Sequence, residues 1–158
     1  MKLTVKKLIK MFGHRYATPE PENIRMHRTL TSTVMEGIAL LETVALWAVI
    51  ARLAINSDSS HTLTLILIGV FGTVITALWL YGAYYPIDTV NLPFRIKTVR
   101  QMDLAALSER TTALLAPPMA TAVAANECGL VSEMPIKIMG AVVLCTALVF
   151  TTLIWRAK

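Results

Sequence analysis

Residues 63–85 read LTLILIGVFGTVITALWLYGAYY, an uninterrupted apolar run without Asp, Glu, Lys or Arg. About 20 apolar residues in a helix are enough to cross the hydrocarbon core of a bilayer, so this run is long enough to span a membrane. It ends in an aromatic group of the kind found at membrane interfaces, formed by Trp79, Tyr81, Tyr84 and Tyr85. The run therefore predicts a transmembrane helix.

Two further tracts have a similar length and composition. Residues 34–55 form the first and residues 136–155 form the last. Of the 158 residues, 55% are hydrophobic and 16% are charged, which is more apolar surface than a soluble domain of this size can bury. The composition predicts an all-α integral membrane protein.

Residues 111–131 form a less apolar tract. Thr98 and Gln101 have the spacing of a capping box, so a helix should begin there, amphipathic at first and then uncharged. Pro117 and Pro118 fall in the middle of the tract, where each removes a helical hydrogen bond. We predict that this tract is the third crossing of a four-helix transmembrane bundle, kinked at the prolines. The alternative is three spans with a re-entrant or interfacial helix.

Residues 1–17 carry positive charge next to apolar residues at helical spacing. The basic residues that would contact lipid headgroups are Lys2, Lys6, Lys7 and Lys10. This pattern favours a short amphipathic helix on an anionic membrane surface, and a frayed basic tail is the alternative. No long apolar run follows the lysines, so we expect no cleaved signal peptide. We divide the chain into this surface segment and a single transmembrane domain at residues 18–158.

Positive charge predicts the orientation of the bundle. With four crossings and a cytoplasmic N-terminus, only Arg52 and Lys137 of the 15 Lys and Arg fall on the outer side. We therefore expect both termini to be cytoplasmic. The net charge of +5 then suits anionic lipid headgroups, and we expect no nucleic-acid partner.

Ionisable residues inside the first tract are the candidate functional residues, namely Glu36, Glu42 and Arg52. Glu42 lies deepest. Glu36 is about 120° away around the helix, so the two acids cannot form a paired-carboxylate site on this helix alone. The functional interpretation of Glu42 is a proton or cation carrier or a substrate contact, and the structural one is a protonated or hydrogen-bonded glutamate that fixes helix packing. Arg52 should extend toward the outer headgroups.

Small residues recur three or four positions apart on two predicted spans. Gly69, Thr73 and Ala77 form one stripe, and the other contains Ala113, Ala116, Ala120 and Ala124. Such stripes let two helices approach closely. We interpret them as helix-packing faces within the bundle, with contacts between two copies as the alternative.

Sequence motifs for catalysis or cofactor binding are absent. His14, His27 and His61 all fall in polar segments, so no pair is placed to ligate a haem inside the apolar tracts. No Cys-x-x-Cys, His-Glu-x-x-His, Walker or Gly-x-Ser-x-Gly string occurs, and Cys128 and Cys145 define no disulfide framework. We expect a non-enzymatic chain without catalytic residues, metal or cofactor.

Several short motifs together resemble a known family. MEGIALLE at residues 35–42 opens the first tract, Tyr85-Pro86 closes the second, and NLPFRI at residues 91–96 precedes the helix near Arg100-Gln101. This order is similar to an uncharacterised family of small bacterial membrane proteins, whose domain also forms the N-terminal part of immunity proteins against the sporulation-delaying toxin. The family has a longer outer loop where this chain has residues 56–61. The resemblance implies a multi-spanning bundle in the bacterial inner membrane.

These observations lead to two functional hypotheses. The first is a non-catalytic protein that acts through helix contacts with a membrane partner, in an accessory, immunity or stress-related role. The alternative is a small transporter or proton-coupled carrier built around Glu42. The two hypotheses differ in whether a wet cavity reaches the Glu42 carboxyl group.

Overall fold

The computed structural model describes residues 30–56, 59–85, 92, 96 and 98–157. These residues form four helices, α1 (Leu30–Asn56), α2 (Ser59–Tyr84), α3 (Val99–Glu127) and α4 (Met134–Arg156). No strand occurs within the described ranges, so the predicted all-helical class is confirmed there. The predicted surface segment at residues 1–17, with its four lysines, lies outside the described residues.

Three of these helices, α1, α2 and α4, are long and apolar enough to cross a membrane. Many of their large apolar side chains are exposed, for example Phe71 on α2 and Leu144 on α4. Apolar surface of this extent is stable against lipid or another apolar surface rather than against water. The helices therefore support the predicted class of membrane protein.

Polar contacts at the two ends of the bundle define the helix directions. At one end, Tyr84 near the end of α2 contacts Glu36 near the start of α1. At the other end, His61 at the start of α2 lies 3.6 Å from Glu127 at the end of α3. Consecutive helices therefore run antiparallel, and α1 is parallel to α3. We call these the Glu36 end and the His61 end.

The least apolar helix, α3, occupies the centre. It contacts all three other helices, whereas α4 packs mainly on α3. Between residues 104 and 126 no residue of α3 is exposed. A helix surrounded by other helices needs small side chains that permit close approach, and it does not need a strongly apolar surface. This position explains the small, weakly apolar residues of the tract at 111–131.

The ends of α3 show which boundary predictions were accurate. The predicted capping box is confirmed, with Thr98 Oγ1 accepting from Gln101 N and Gln101 Oε1 accepting from Thr98 N, each at 3.2 Å. The predicted end at residue 131 is wrong, because α3 stops at Glu127. Gly129 adopts a φ of 67°, and Leu130 N donates to Ala125 O at 3.0 Å. This glycine-based cap ends the helix before the apolar pattern ends.

The prolines do not interrupt α3, which continues through Pro117 and Pro118 for 29 residues. At about 1.5 Å per residue this helix is roughly 43 Å long. It runs from the Glu36 end to the His61 end without turning back. Because α3 is not one of the three helices apolar enough to span by composition, its crossing of the membrane stays a prediction. The other predicted spans agree more closely, since residues 34–55 and 136–155 lie inside α1 and α4, and α1 and α2 each begin four residues before the predicted start.

The capping residues of α3 also hold the end of α4. Thr98 Oγ1 donates to Ala157 O at 3.2 Å, and Gln101 Nε2 donates to Ile154 O at 3.0 Å. The last carbonyl groups of a helix have no partner inside that helix, so these two side chains satisfy them. The α3 and α4 helices are thereby fixed together at the Glu36 end.

The four-crossing arrangement predicts which loops are reached from outside the cell. We expect Ser132→Cys to react with a membrane-impermeant thiol reagent in intact cells, in a background lacking Cys128 and Cys145. Arg156→Cys should react only after the membrane is opened. If α3 does not cross, the two positions exchange their behaviour, and that result would contradict the arrangement.

Candidate functional site

The Glu36 carboxylate joins three helices near one end of the bundle. Arg110 of α3 donates from Nε to Glu36 Oε1 at 3.0 Å. Tyr84 of α2 donates from its hydroxyl group to Glu36 Oε2 at 2.8 Å. The guanidinium carbon of Arg110 also lies 6.0 Å from the centroid of the Tyr84 ring, so the two donors contact each other. We call Glu36, Tyr84 and Arg110 the three-helix cluster.

Burial makes this ion pair different from a surface pair. Glu36 is only 6% exposed and Arg110 only 8%. Removing one partner of a buried ion pair typically costs about 3–5 kcal/mol, because the other charge is left buried and uncompensated. By contrast, Lys137 and Glu133 form an exposed pair at 2.7 Å, a type that contributes about 0.3–0.5 kcal/mol. The three-helix cluster is therefore the stronger electrostatic constraint.

The cluster lies at the edge of the apolar region. From Glu36 to Asn56 at the end of α1 there are 20 residues, or about 30 Å of helix. This distance equals the thickness of a typical hydrocarbon core. Polar groups at the His61 end therefore lie about one bilayer hydrocarbon thickness away from the three-helix cluster.

The sequence identified Glu36 as an ionisable residue but did not identify its partners. Arg110 is the last charge before the uncharged segment at 111–126, and Tyr84 belongs to the aromatic group at the end of the second tract. These two positions were the features of the sequence that could have indicated Arg110 and Tyr84 as partners of Glu36. Glu109, which sequence analysis also did not single out, is 5% exposed beside Arg110.

Glu42 lies in a mostly apolar stretch of α1. It is partly exposed at the edge of the buried face of α1, between Ala39 and Leu46, which are buried. Its Oε2 atom is buried and has no hydrogen-bond partner. The hydrogen bonds described for a glutamate of α1 are those of Glu36 with Arg110 and Tyr84, whereas the neighbours of Glu42 along α1 are apolar except for Thr43.

Arg52 lies near the His61 end of α1 and is exposed. Its backbone oxygen accepts a hydrogen bond from Asn56 Nδ2 at 2.8 Å. Extension of this side chain toward the outer headgroups stays a prediction.

The stripe on α2 contacts α1 at two of its three residues. A Cβ atom added to Gly69 would lie 2.6 Å from Ile50 Cδ1, so α1 packs directly on this glycine. Thr73 Oγ1 accepts from Trp47 Nε1 at 2.9 Å, which adds a hydrogen bond between the same helices. Ala77 is exposed.

The stripe on α3 packs against α2 and α1. A Cβ atom added to Gly72 of α2 would lie 2.8 Å from the Cβ of Ala120, so only glycine permits this approach. Ala124 is fully buried and clusters with Leu46, Ile50 and Leu65. Gly72 was not part of the predicted stripe, although it marks a close contact of α2 with α3.

A groove opens between α2, α3 and α4 beside this contact. Its volume is about 300 Å³, and Gly72, Ala116 and Ala120 are among its lining residues. Larger apolar side chains also line it, including Phe71, Trp79, Met119 and Val143. Glu42 does not line this groove. The groove can hold an apolar side chain or segment but offers little for polar recognition.

A metal site is not formed by the described part of the chain, where no three His, Cys, Asp or Glu residues come together suitably. Comparison with known proteins gives no further assignment: no family model, no curated protein and no solved structure matches this chain. The candidate functional features of the described residues are the three-helix cluster, the groove and Glu42.

The three-helix cluster predicts a ranking of stabilities in detergent. Glu36→Gln leaves the Arg110 charge buried without its counter-ion, so we expect a loss of about 3–5 kcal/mol in the free energy of unfolding. Tyr84→Phe removes one hydrogen bond to a charged group and should cost about 1.5–3 kcal/mol.

The matched control is Glu133→Gln, which breaks the exposed pair with Lys137. It should change the free energy of unfolding by less than about 1 kcal/mol. Denaturant unfolding followed by circular dichroism measures all three variants. Equal effects of Glu36→Gln and Glu133→Gln would show that the cluster does not stabilise the bundle.

Proposed function

We propose that this chain is a non-catalytic protein of the bacterial inner membrane that acts through helix contacts with a membrane partner. In this proposal all four helices cross the bilayer and both termini are cytoplasmic. The three apolar helices and the burial of α3 among them support the four-helix membrane bundle. The Glu36 end is then the cytoplasmic end, where Arg100 and Arg156 are exposed and available to anionic headgroups.

The groove between α2, α3 and α4 is the observation that carries the partner proposal. Helices associate in membranes through close packing on small residues, and Gly72, Ala116 and Ala120 offer such a surface. Met119 and Phe71 beside them provide adaptable and aromatic contacts. A helix of another membrane protein, or of a second copy of this chain, fits this chemistry better than a polar substrate does.

The biological role that we propose is accessory, immunity or stress-related. The motifs at residues 35–42 and 91–96 support it through their resemblance to the family that includes immunity proteins. An immunity protein of this kind would bind a toxin or its target within the bilayer, which agrees with an apolar docking groove. We propose no enzymatic step.

One observation favours the alternative of a proton-coupled carrier. The buried Oε2 atom of Glu42 has no partner, and an ionisable group of this kind inside an apolar helix is a functional candidate. The groove nevertheless does not reach this carboxyl group. We therefore rank the carrier second.

Site-specific photo-crosslinking in native membranes tests the partner proposal. Phe71 in the groove and Leu41 on α1 are both 70% exposed, so they form a matched pair. With p-benzoylphenylalanine at each position, we expect a discrete protein adduct from position 71 and only lipid adducts from position 41. The adduct mass distinguishes a second copy from a different protein.

Two results would contradict the proposal. One is equal crosslinking to proteins from both positions, which would mean that the groove has no selectivity. The other is no protein adduct from position 71 together with a proton flux in proteoliposomes that Glu42→Gln abolishes. That second result would favour the carrier.

A further inference from the structure

Glu42 and the proline pair of α3 lie at the same height in the bundle. Because α1 and α3 are parallel, the Glu36–Arg110 ion pair fixes their register near one end. Glu42 is six residues after Glu36, and Ala116 is six residues after Arg110. In parallel helices the two residues therefore lie at the same height. Ile50 and Ala124 belong to one buried cluster. Eight residues before each of them are Glu42 and Ala116, which gives the same alignment of α1 with α3. The ion pair and the shared cluster thus agree in placing Glu42 at the height of Ala116.

The proline pair leaves two backbone oxygens of α3 without their usual helical donors. Pro117 and Pro118 have no N–H group, so they cannot donate to the oxygens of Ala113 and Leu114. No side chain in the described part of the chain donates to either oxygen. In apolar surroundings such freed carbonyl groups are usually satisfied by donors from neighbouring helices. A donor at this height would therefore stabilise the bundle.

Both freed oxygens flank the side of α3 that faces α1. Arg110 marks this direction through its contact with Glu36. At 100° per residue, Ala113 lies about 60° to one side of Arg110 and Leu114 about 40° to the other. Pro117 lies about 20° from the same direction, and it is fully buried.

Glu42 lies about 40° around α1 from Leu46, which shares a buried cluster with Ala124 of α3. Side chains tilt toward the start of their helix. The carboxyl group of Glu42 is therefore closer to the Glu36 end than Ala116 is, at the height of Ala113 and Leu114. Its Oε2 atom is buried without a partner. An ionised carboxylate can only accept hydrogen bonds, whereas a protonated carboxyl group has one O–H donor.

We propose that Glu42 is protonated in the folded protein and that its carboxyl group donates a hydrogen bond to the backbone oxygen of Ala113 or Leu114. The proton supplies one of the two donors that the proline pair removes. This proton site is a second polar link between α1 and α3, about 9 Å of helix away from the Glu36–Arg110 pair. Its role is to position these two helices, independently of any partner in the groove.

The charged groups around Glu42 do not provide an ionic partner. Arg110 is already paired with Glu36, and Glu109 beside it carries the same charge type as Glu42. The packed helix α2 contains no Asp, Glu, Lys or Arg. The α4 helix packs mainly on α3. The protonated form therefore avoids an uncompensated charge in apolar surroundings.

The first test is spectroscopic. We expect the infrared spectrum of the purified protein at neutral pH to contain a C=O stretching band of a protonated carboxyl group that Glu42→Gln removes. Subtracting the two spectra separates this band from any contribution of Glu109. The exposed acid Glu133 provides the control, since Glu133→Gln should remove no such band. Absence of the Glu42-dependent band would overturn the proposal.

The second test asks whether the hydrogen bond depends on the prolines. Glu42→Gln keeps a donor and should retain the wild-type Tm, while Glu42→Met removes the donor and should lower the Tm by about 2–4 °C. In a Pro117→Ala, Pro118→Ala background the freed oxygens regain backbone donors, so the same Glu42→Met change should lose this effect. An equal Tm decrease in both backgrounds, with helix content unchanged, would overturn the assigned acceptor.

Discussion

The carboxylate of Glu36, held between the Arg110 guanidinium and the Tyr84 hydroxyl group, is the interaction on which the bundle depends. Arg110 lies 11 residues into α3, about 16 Å from its start. A helix with a charge at that depth can occupy the centre of an apolar bundle only if the charge is neutralised there. Glu36 provides the counter-charge from α1, and Tyr84 fixes the carboxylate from α2. The central position of α3 follows from this arrangement.

Close packing then follows from the small residues of α3 and its neighbours. Gly72 meets Ala120 where α2 crosses α3, and Gly69 admits Ile50 and the Trp47 ring from α1. Ala120 and the nearby Ala116 also line the groove, where they remain partly exposed. One surface therefore supports both the packing of the bundle and the proposed docking of another helix.

Sequence reasoning was accurate where the signal is local. The apolar tracts and the Thr98–Gln101 capping box depend on neighbouring residues, and both appear as predicted. It was inaccurate for the end of α3, where the left-handed conformation of Gly129 overrides an apolar pattern. The partners of Glu36 could not be predicted, because Tyr84 and Arg110 are 48 and 74 residues away in the chain. Only the helix register brings them together, and the sequence does not encode that register locally.

A double-mutant cycle between Glu36 and Arg110 tests the central constraint most directly. Each single change to Met leaves one buried charge unpaired and should cost about 3–5 kcal/mol in the free energy of unfolding in detergent. The double change replaces both charges with apolar side chains, so the account predicts a stability close to that of the wild-type protein. Additive losses in the double variant would contradict the account, because they would mean that the two side chains stabilise the bundle independently.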